Sequence, residues 1–416
     1  MMRGSRCRWI ALAGPFAVVA VAAGCSGGTT NSAEPTLSTT SATTATATAT
    51  SSTIAPTTTA APTTTTPPTT TLPPTTTTIA RALSTETKLK ASKTIRGNIS
   101  PKSVVASGNG LFFAQNMMYR HTVTVYDRSG ALVATIPDTV KLADFGFTQY
   151  TGTYRGAPVE AAFSPNGQYA YVTNYSMYGP GFGPEGSDEC GPADKYDDSF
   201  VYRIDTTRLA IDAVAKVGAV PKYVAVSPDG RTLLVTNWCS YDLSIIDTTT
   251  MTELKRIPMG RYPRGIVVAP DSSVAYVAVM GAASIVEVDL STYAISTMRS
   301  VGADPRHVVL SPDGASLYAT LNGAGQVIKI DVAQKKVVTR RSTGSEPRSM
   351  VMAPDGRSLY VVNYESNTMS KLATDDLRVL QSVPTLTHPI GITVDPASGT
   401  VWVATYLGAI QLFDEV

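Results

Sequence analysis

Five prolines, Pro221, Pro263, Pro305, Pro347 and Pro389, follow one another at a constant interval of 42 residues. Each opens the pattern P-x-x-V/I/M-x-V/L/M-S/A-P-D-G or a degraded form of it. Two earlier copies begin at Pro101 (PKSVVASGNGLFFAQN) and Pro158 (PVEAAFSPNGQYAYVTN), at longer spacings of 57 and 63 residues. Seven copies of one short unit leave little freedom in the fold, because each must bury its apolar face against its neighbours.

Each copy contains about four short β-rich runs, for example YVAVS, TLLVTN, LSIID and ELKRI in the copy at Pro221. A period of about 40 to 45 residues with four strands per unit is that of a propeller blade. Helical periodicity is absent, and Pro-Asp-Gly suits the hairpins because Pro presets φ and Gly accepts the conformation that closes the turn. The predicted fold class is therefore all-β, a seven-bladed β-propeller of four-stranded blades. The last copy ends after its third strand, at FDEV, while TKLKASKTIRG (residues 87–97) precedes the first copy. This N-terminal strand is expected to complete the seventh blade and leave no open edge, so that a monomer can fold alone.

At this point a resemblance can be stated. Tyr171-Val-Thr-Asn174 is the motif that names the YVTN β-propeller family, and residues from about 87 to 416 resemble that family of bacterial and archaeal periplasmic and surface-layer proteins. The resemblance implies the fold, while its members differ widely in role.

Composition changes sharply before residue 81. Arg3, Arg6 and Arg8 precede an apolar run from Trp9 to Ala23, which reads as a signal peptide over residues 1–24. Val21-Ala-Ala-Gly-Cys25 resembles a bacterial lipoprotein box, with Ala22 where such boxes usually carry Leu, and makes Cys25 the expected lipidation site. Ordinary secretion with cleavage nearby is the alternative. Residues 25–80 are almost wholly Thr, Pro, Ala and Ser and read as a disordered tether. At about 3.1 Å per residue, some fifty such residues would hold a domain on the order of 150 Å from the membrane. The expected location is the cell membrane, by lipid anchor, facing the cell wall or exterior.

Residues 81–416 then hold the propeller, with insertions at about 137–157 and 176–200. Both insertions fall on the face that carries the repeat prolines, where a rigid scaffold usually presents binding residues. Cys190 lies in the second insertion and Cys239 in the equivalent loop of the next blade, a candidate disulfide between neighbours in an oxidising compartment. Formal net charge is +2, which gives no global pull toward nucleic acid.

The residue after each repeat proline is Lys102, Val159, Lys222, Arg264, Arg306, Arg348 and Ile390. The five cations begin the innermost strands and should line the channel mouth, where an anionic small molecule, an acidic glycan or a protein partner would bind. Pairing with Asp304 and Glu346 is the alternative use of these charges. Trp238 and the lid aromatics Tyr175, Tyr178, Phe182, Tyr196 and Phe200 are candidates for stacking on such a ligand. The lid acids could supply oxygen ligands to Ca²⁺, but they lack EF-hand spacing.

Some related propellers carry metal-assisted hydrolase or lyase sites of the lactonase type. His121, His307 and His388 all map to loops or strand starts on the face that carries the repeat prolines, and with Glu160 they are the candidate catalytic residues of a site like those, with a divalent cation the one cofactor it would take. Otherwise no cofactor is expected. Phosphate-loop and Cys-His haem motifs are absent from the sequence, and residues 81–416 hold no Gly-x-Ser-x-Gly elbow; the one such match, Gly24-Cys-Ser-Gly-Gly28, lies at the lipoprotein-like box. The preferred expectation is a binding or scaffold propeller, with the enzyme and a structural cell-wall protein as alternatives.

Overall fold

The second and third strands of each unit read as near-continuous apolar runs, as in Thr232–Asn237 (TLLVTN), where five of six residues are buried. A strand covered on both faces needs that pattern. The fourth strand, Thr252–Pro258 (TELKRIP), is largely exposed. Burial is thus greatest in the two middle strands, which neighbouring blades cover on both faces, and falls at the outer edge. In a computed structural model that describes residues 81–416, these units form seven antiparallel four-stranded sheets. The segments read as signal peptide and tether, Cys25 among them, lie outside the described residues.

The innermost strands of blades 1 to 7 are Ser103–Ala106, Pro158–Phe163, Pro221–Val226, Pro263–Val268, Pro305–Leu310, Pro347–Met352 and Pro389–Val394. Each packs against the next, and blade 7 packs against blade 1. Gly265 and Gly391 allow this approach: a Cβ on Gly265 would lie 2.7 Å from the Arg306 carbonyl oxygen, and one on Gly391 2.7 Å from Ser103 Cα. Apolar side chains fill the wedges between blades. Across the seam between blades 7 and 1, Trp402 stacks on Phe112 with ring centroids 4.0 Å apart.

The strand Leu89–Ile95 pairs antiparallel with Ala409–Glu415 and completes blade 7 from the outside, as the sequence led us to expect. A buried polar cluster secures this closure. Lys371 Nζ lies 2.9 Å from Glu415 Oε1 and donates to Thr87 O at 2.9 Å, with both charged side chains almost fully buried. Arg81 Nη2 reaches the second Glu415 oxygen at 2.6 Å.

The repeat turns explain their own sequence. In blade 3, Gly230 adopts φ 75°, the Ser227 hydroxyl accepts the Thr232 N–H at 2.9 Å, and Asp229 accepts the Arg231 N–H at 3.1 Å. Blade 4 departs from the motif with Ser272 at φ 63° in place of glycine. Its hydroxyl accepts the Asp229 N–H of the neighbouring blade at 3.0 Å, a contact glycine would lack.

Candidate functional site: a cationic channel mouth under a tethered lid

In blades 2 to 7 the repeat proline pairs with the last residue of the second strand, and the ladder then slips. Pro221 faces Asn237 but Tyr223 faces Thr236; corresponding shifts follow Pro158, Pro263, Pro305, Pro347 and Pro389. Such a β-bulge re-aims the side chain it contains. The residue after the proline occupies this irregularity, so Lys222, Arg264, Arg306 and Arg348 form an arc over four successive blades. Lys102 stands at the equivalent position of blade 1.

Lys102, Lys222 and Arg264 are buried, and Arg306 and Arg348 half-buried. Lys222 is paired with Asp188 of the lid, and Arg348 Nη2 with Glu346 Oε2 at 2.8 Å. Among the described residues Lys102, Arg264 and Arg306 form no ion pair, so the expected alternative of pairing holds for Glu346 and not for Asp304. Arg264 Nη1 donates to the Lys222 carbonyl at 2.7 Å. Burial pushes the Lys102 ammonium well below its ordinary pKa, and Lys222, Arg264 and Arg306 push it the same way. Burial, then Arg264 and Arg348, lowers the Arg306 pKa as well. Like charges are here crowded into a poorly solvated space without enough counter-charge.

Aromatic rings flank these cations. Lys222 Nζ lies 4.3 Å from the Tyr175 ring centroid and 5.4 Å from that of Trp238. Lys102 lies 5.2 Å from Tyr406, and the Arg348 guanidinium 3.4 Å from Tyr364, which also stacks on His388 at 4.3 Å. Tyr175, Trp238, Tyr364 and Tyr406 occupy one repeat position, immediately after the second strand. That column was visible in the repeats, but only Trp238 and Tyr175 among its members were read as candidates to meet a ligand.

The lid is pinned from several directions. Cys190 and Cys239 form the disulfide with Cα atoms 5.7 Å apart. Trp238 Nε1 donates to the Asp188 carbonyl at 3.0 Å, and the Tyr241 and Tyr262 hydroxyls donate to the Cys190 carbonyl at 2.6 and 2.8 Å. The two insertions also pack on each other: Phe182 stacks on Tyr150 at 5.0 Å, and Phe182 and Phe200 belong to one apolar cluster with Tyr154. These two lid aromatics therefore fasten the lid and are not presented to a ligand. Several lid acids are likewise engaged, Asp194 by the Gly191 N–H at 2.7 Å and Asp198 by Lys216 at 3.2 Å. With the bridged cysteines 49 positions apart in sequence, loop closure gives an upper value of about 4 kcal/mol for the bond. Replacing both cysteines with serine should lower stability in urea unfolding toward that limit, and unchanged unfolding would show that the lid is fastened by its aromatic contacts alone.

Behind the mouth, the innermost strands enclose a channel cavity of about 240 Å³ lined by Ser103, Glu160, Tyr223, His307 and Ser349 among others. The Met350 N–H donates to His307 Nδ1 at 2.9 Å, so Nε2 carries the proton and donates to the Tyr223 hydroxyl oxygen at 2.9 Å. Burial, with Arg264 and Arg306 nearby, holds the His307 pKa down at about 3. This imidazole is neutral, with both nitrogens engaged. Burial raises Glu160 to about 7 despite the opposing field of Arg264.

The other two histidines lie elsewhere. His121 Nδ1 is 2.6 Å from the Gly156 carbonyl oxygen and 3.3 Å from Asp138, whose hydrogen bond raises the histidine pKa. His388 stacks on Tyr364 and lies 3.8 Å from Glu365. The structure thus places Glu160 and His307 on one channel without bringing His121 or His388 to them. Sharing a face does not make side chains converge. Among the described residues no three His, Cys, Asp or Glu side chains form a group that could hold a metal ion.

Fold and site together define a class, a seven-bladed β-propeller built from YVTN-type repeats. A family model described as YNCE-like beta-propeller matches residues 253–410, from the outer strand of blade 3 into blade 7. A solved chain of Kuenenia stuttgartiensis hydrazine synthase is similar in fold, with a TM-score of 0.59 at 20% identity over 75% of this chain and 95% of that one. No curated protein sequence matches the chain. A propeller of this kind supports a binding or scaffold role in general.

Proposed function

We propose that this protein is an exported, lipid-anchored binding propeller that captures a multiply charged small organic anion at its channel mouth. The observation that carries the reading is the set Lys102, Arg264 and Arg306, three basic side chains at one mouth that form no ion pair among the described residues. An anion supplies the missing charge, and guanidinium groups fork onto carboxylate or oxyanion oxygens. Rings beside the cations offer flat apolar surface to the body of such a ligand. The lipoprotein-like box and the Thr/Pro tether support placement at the cell surface, where the insertion-bearing face would meet ligand.

Direct titration with sulfate, a dianion throughout the neutral range, tests the reading and its pH dependence. Lys222 is held down at about 7 by burial, against Asp188 and alongside Arg264, and Glu160 is raised to about 7 by burial. An anion at the mouth favours the charged ammonium and the protonated carboxyl. Both linkages have the same sign, so affinity should rise as pH falls through about 7 and weaken above it. Failure of sulfate and of organic dianions to bind at any pH would refute the proposal.

A further inference from the structure

Resting on the anion-binding reading above, we infer that Asp188 is a tethered carboxylate that occupies the Lys222 corner of the mouth and selects ligands by valence. It excludes singly charged anions and yields to those with two or more charges.

The anchoring of Asp188 makes it a fixed competitor. Its backbone carbonyl is held by Trp238 Nε1 at 3.0 Å, and Cys190, two residues on, is covalently bonded to blade 3. One carboxylate oxygen accepts the Tyr175 hydroxyl at 3.0 Å and also meets Lys222 Nζ. Tyr175 reaches the Gly186 carbonyl too, at 3.1 Å. The carboxylate is therefore delivered to the mouth at high effective concentration, as any tethered group is.

Burial is strongly unequal across the pair. The Lys222 side chain is 4% exposed, whereas that of Asp188 is 64% exposed. A ligand arriving from solvent meets Asp188 first, and rotation of this side chain needs no movement of the lid backbone. Arg264 is close enough to bond the Lys222 carbonyl at 2.7 Å, so the filled corner adjoins the unfilled arc. A monoanion in that arc gains one strong pairing and feels the neighbouring carboxylate. A dianion engages Arg264 or Arg306 with one charge and replaces Asp188 on Lys222 with the other. Differences of this kind between close charges are worth at least about a factor of ten in affinity.

Calorimetric titration of the full-length protein with acetate and succinate provides the test, using wild type, Asp188→Asn and Tyr175→Phe. Wild type should bind succinate at least about tenfold more tightly than acetate. Asp188→Asn should raise acetate affinity by about that factor and narrow the ratio. Tyr175→Phe frees the carboxylate while keeping the ring, and should shift the ratio in the same direction by less. This second variant reports even if the first perturbs the lid. Succinate binding with an unchanged ratio in both variants would overturn the role of Asp188 and leave the anion site standing. No binding of either anion by any of the three proteins would remove the site and this inference together.

Discussion

Glu415→Ala should destabilise the propeller by about 3–5 kcal/mol, the largest loss expected from any single side chain of the ring closure. Its carboxylate faces Lys371 at 2.9 Å and Arg81 at 2.6 Å, and the Lys371 side chain is fully buried. Removing the acid leaves an ammonium that retains its bonds to Thr87 but has lost its counter-charge. The cost is that of an uncompensated buried ion, far above the value of a surface pair. The double replacement Lys371→Met with Glu415→Leu should recover most of the loss, because apolar residues of similar volume can replace a buried pair. Urea unfolding of the single and double variants would measure both effects. A loss below about 1 kcal/mol for Glu415→Ala would mean that the strand pairing of Leu89–Ile95 closes the ring without help from this cluster.

Arg306→Met should have the opposite signature. Among the described residues Arg306 forms no ion pair, and Arg264 and Arg348 both press on its charge. Its removal relieves repulsion in the ligand-free protein, so the thermal midpoint should hold or rise. The same change deletes one of the guanidiniums the anion needs, and affinity for sulfate or succinate should fall by roughly tenfold to a hundredfold, since hydrogen bonds to charged groups contribute about 1.5–3 kcal/mol. A residue whose loss leaves the free protein at least as stable and weakens its ligand that far is there for binding. If Arg306→Met instead unfolds the protein or leaves affinity intact, the charge has a structural use or none at this site.

The fold was legible because its cause is repeated. The Pro-Asp-Gly turns, the four short β-rich runs of each copy and the orphan strand at residues 87–97 each point to the same ring, and the 42-residue interval aligns them. The cations after the prolines were legible for the same reason. Their bulges were not, since a register shift leaves no residue signature of its own. Asp188 was hidden in a run of acids because its partner Lys222 lies 34 residues away in another blade, and the lid that joins them occurs in one repeat only. Nor could the sequence separate the histidines. Position placed all three on one face, but Asp138 and Gly156 draw His121 into the first insertion while Tyr223 and the Met350 amide hold His307 in the channel.

The central claim is that the mouth is an anion site, and a crystal structure of the full-length protein grown with selenate would test it most directly. An anomalous selenium peak is expected at the mouth, within hydrogen-bond distance of the Arg264 and Arg306 guanidiniums, with the Asp188 carboxylate turned away from Lys222. An ordered mouth without such a peak, with Asp188 still on Lys222, would contradict it.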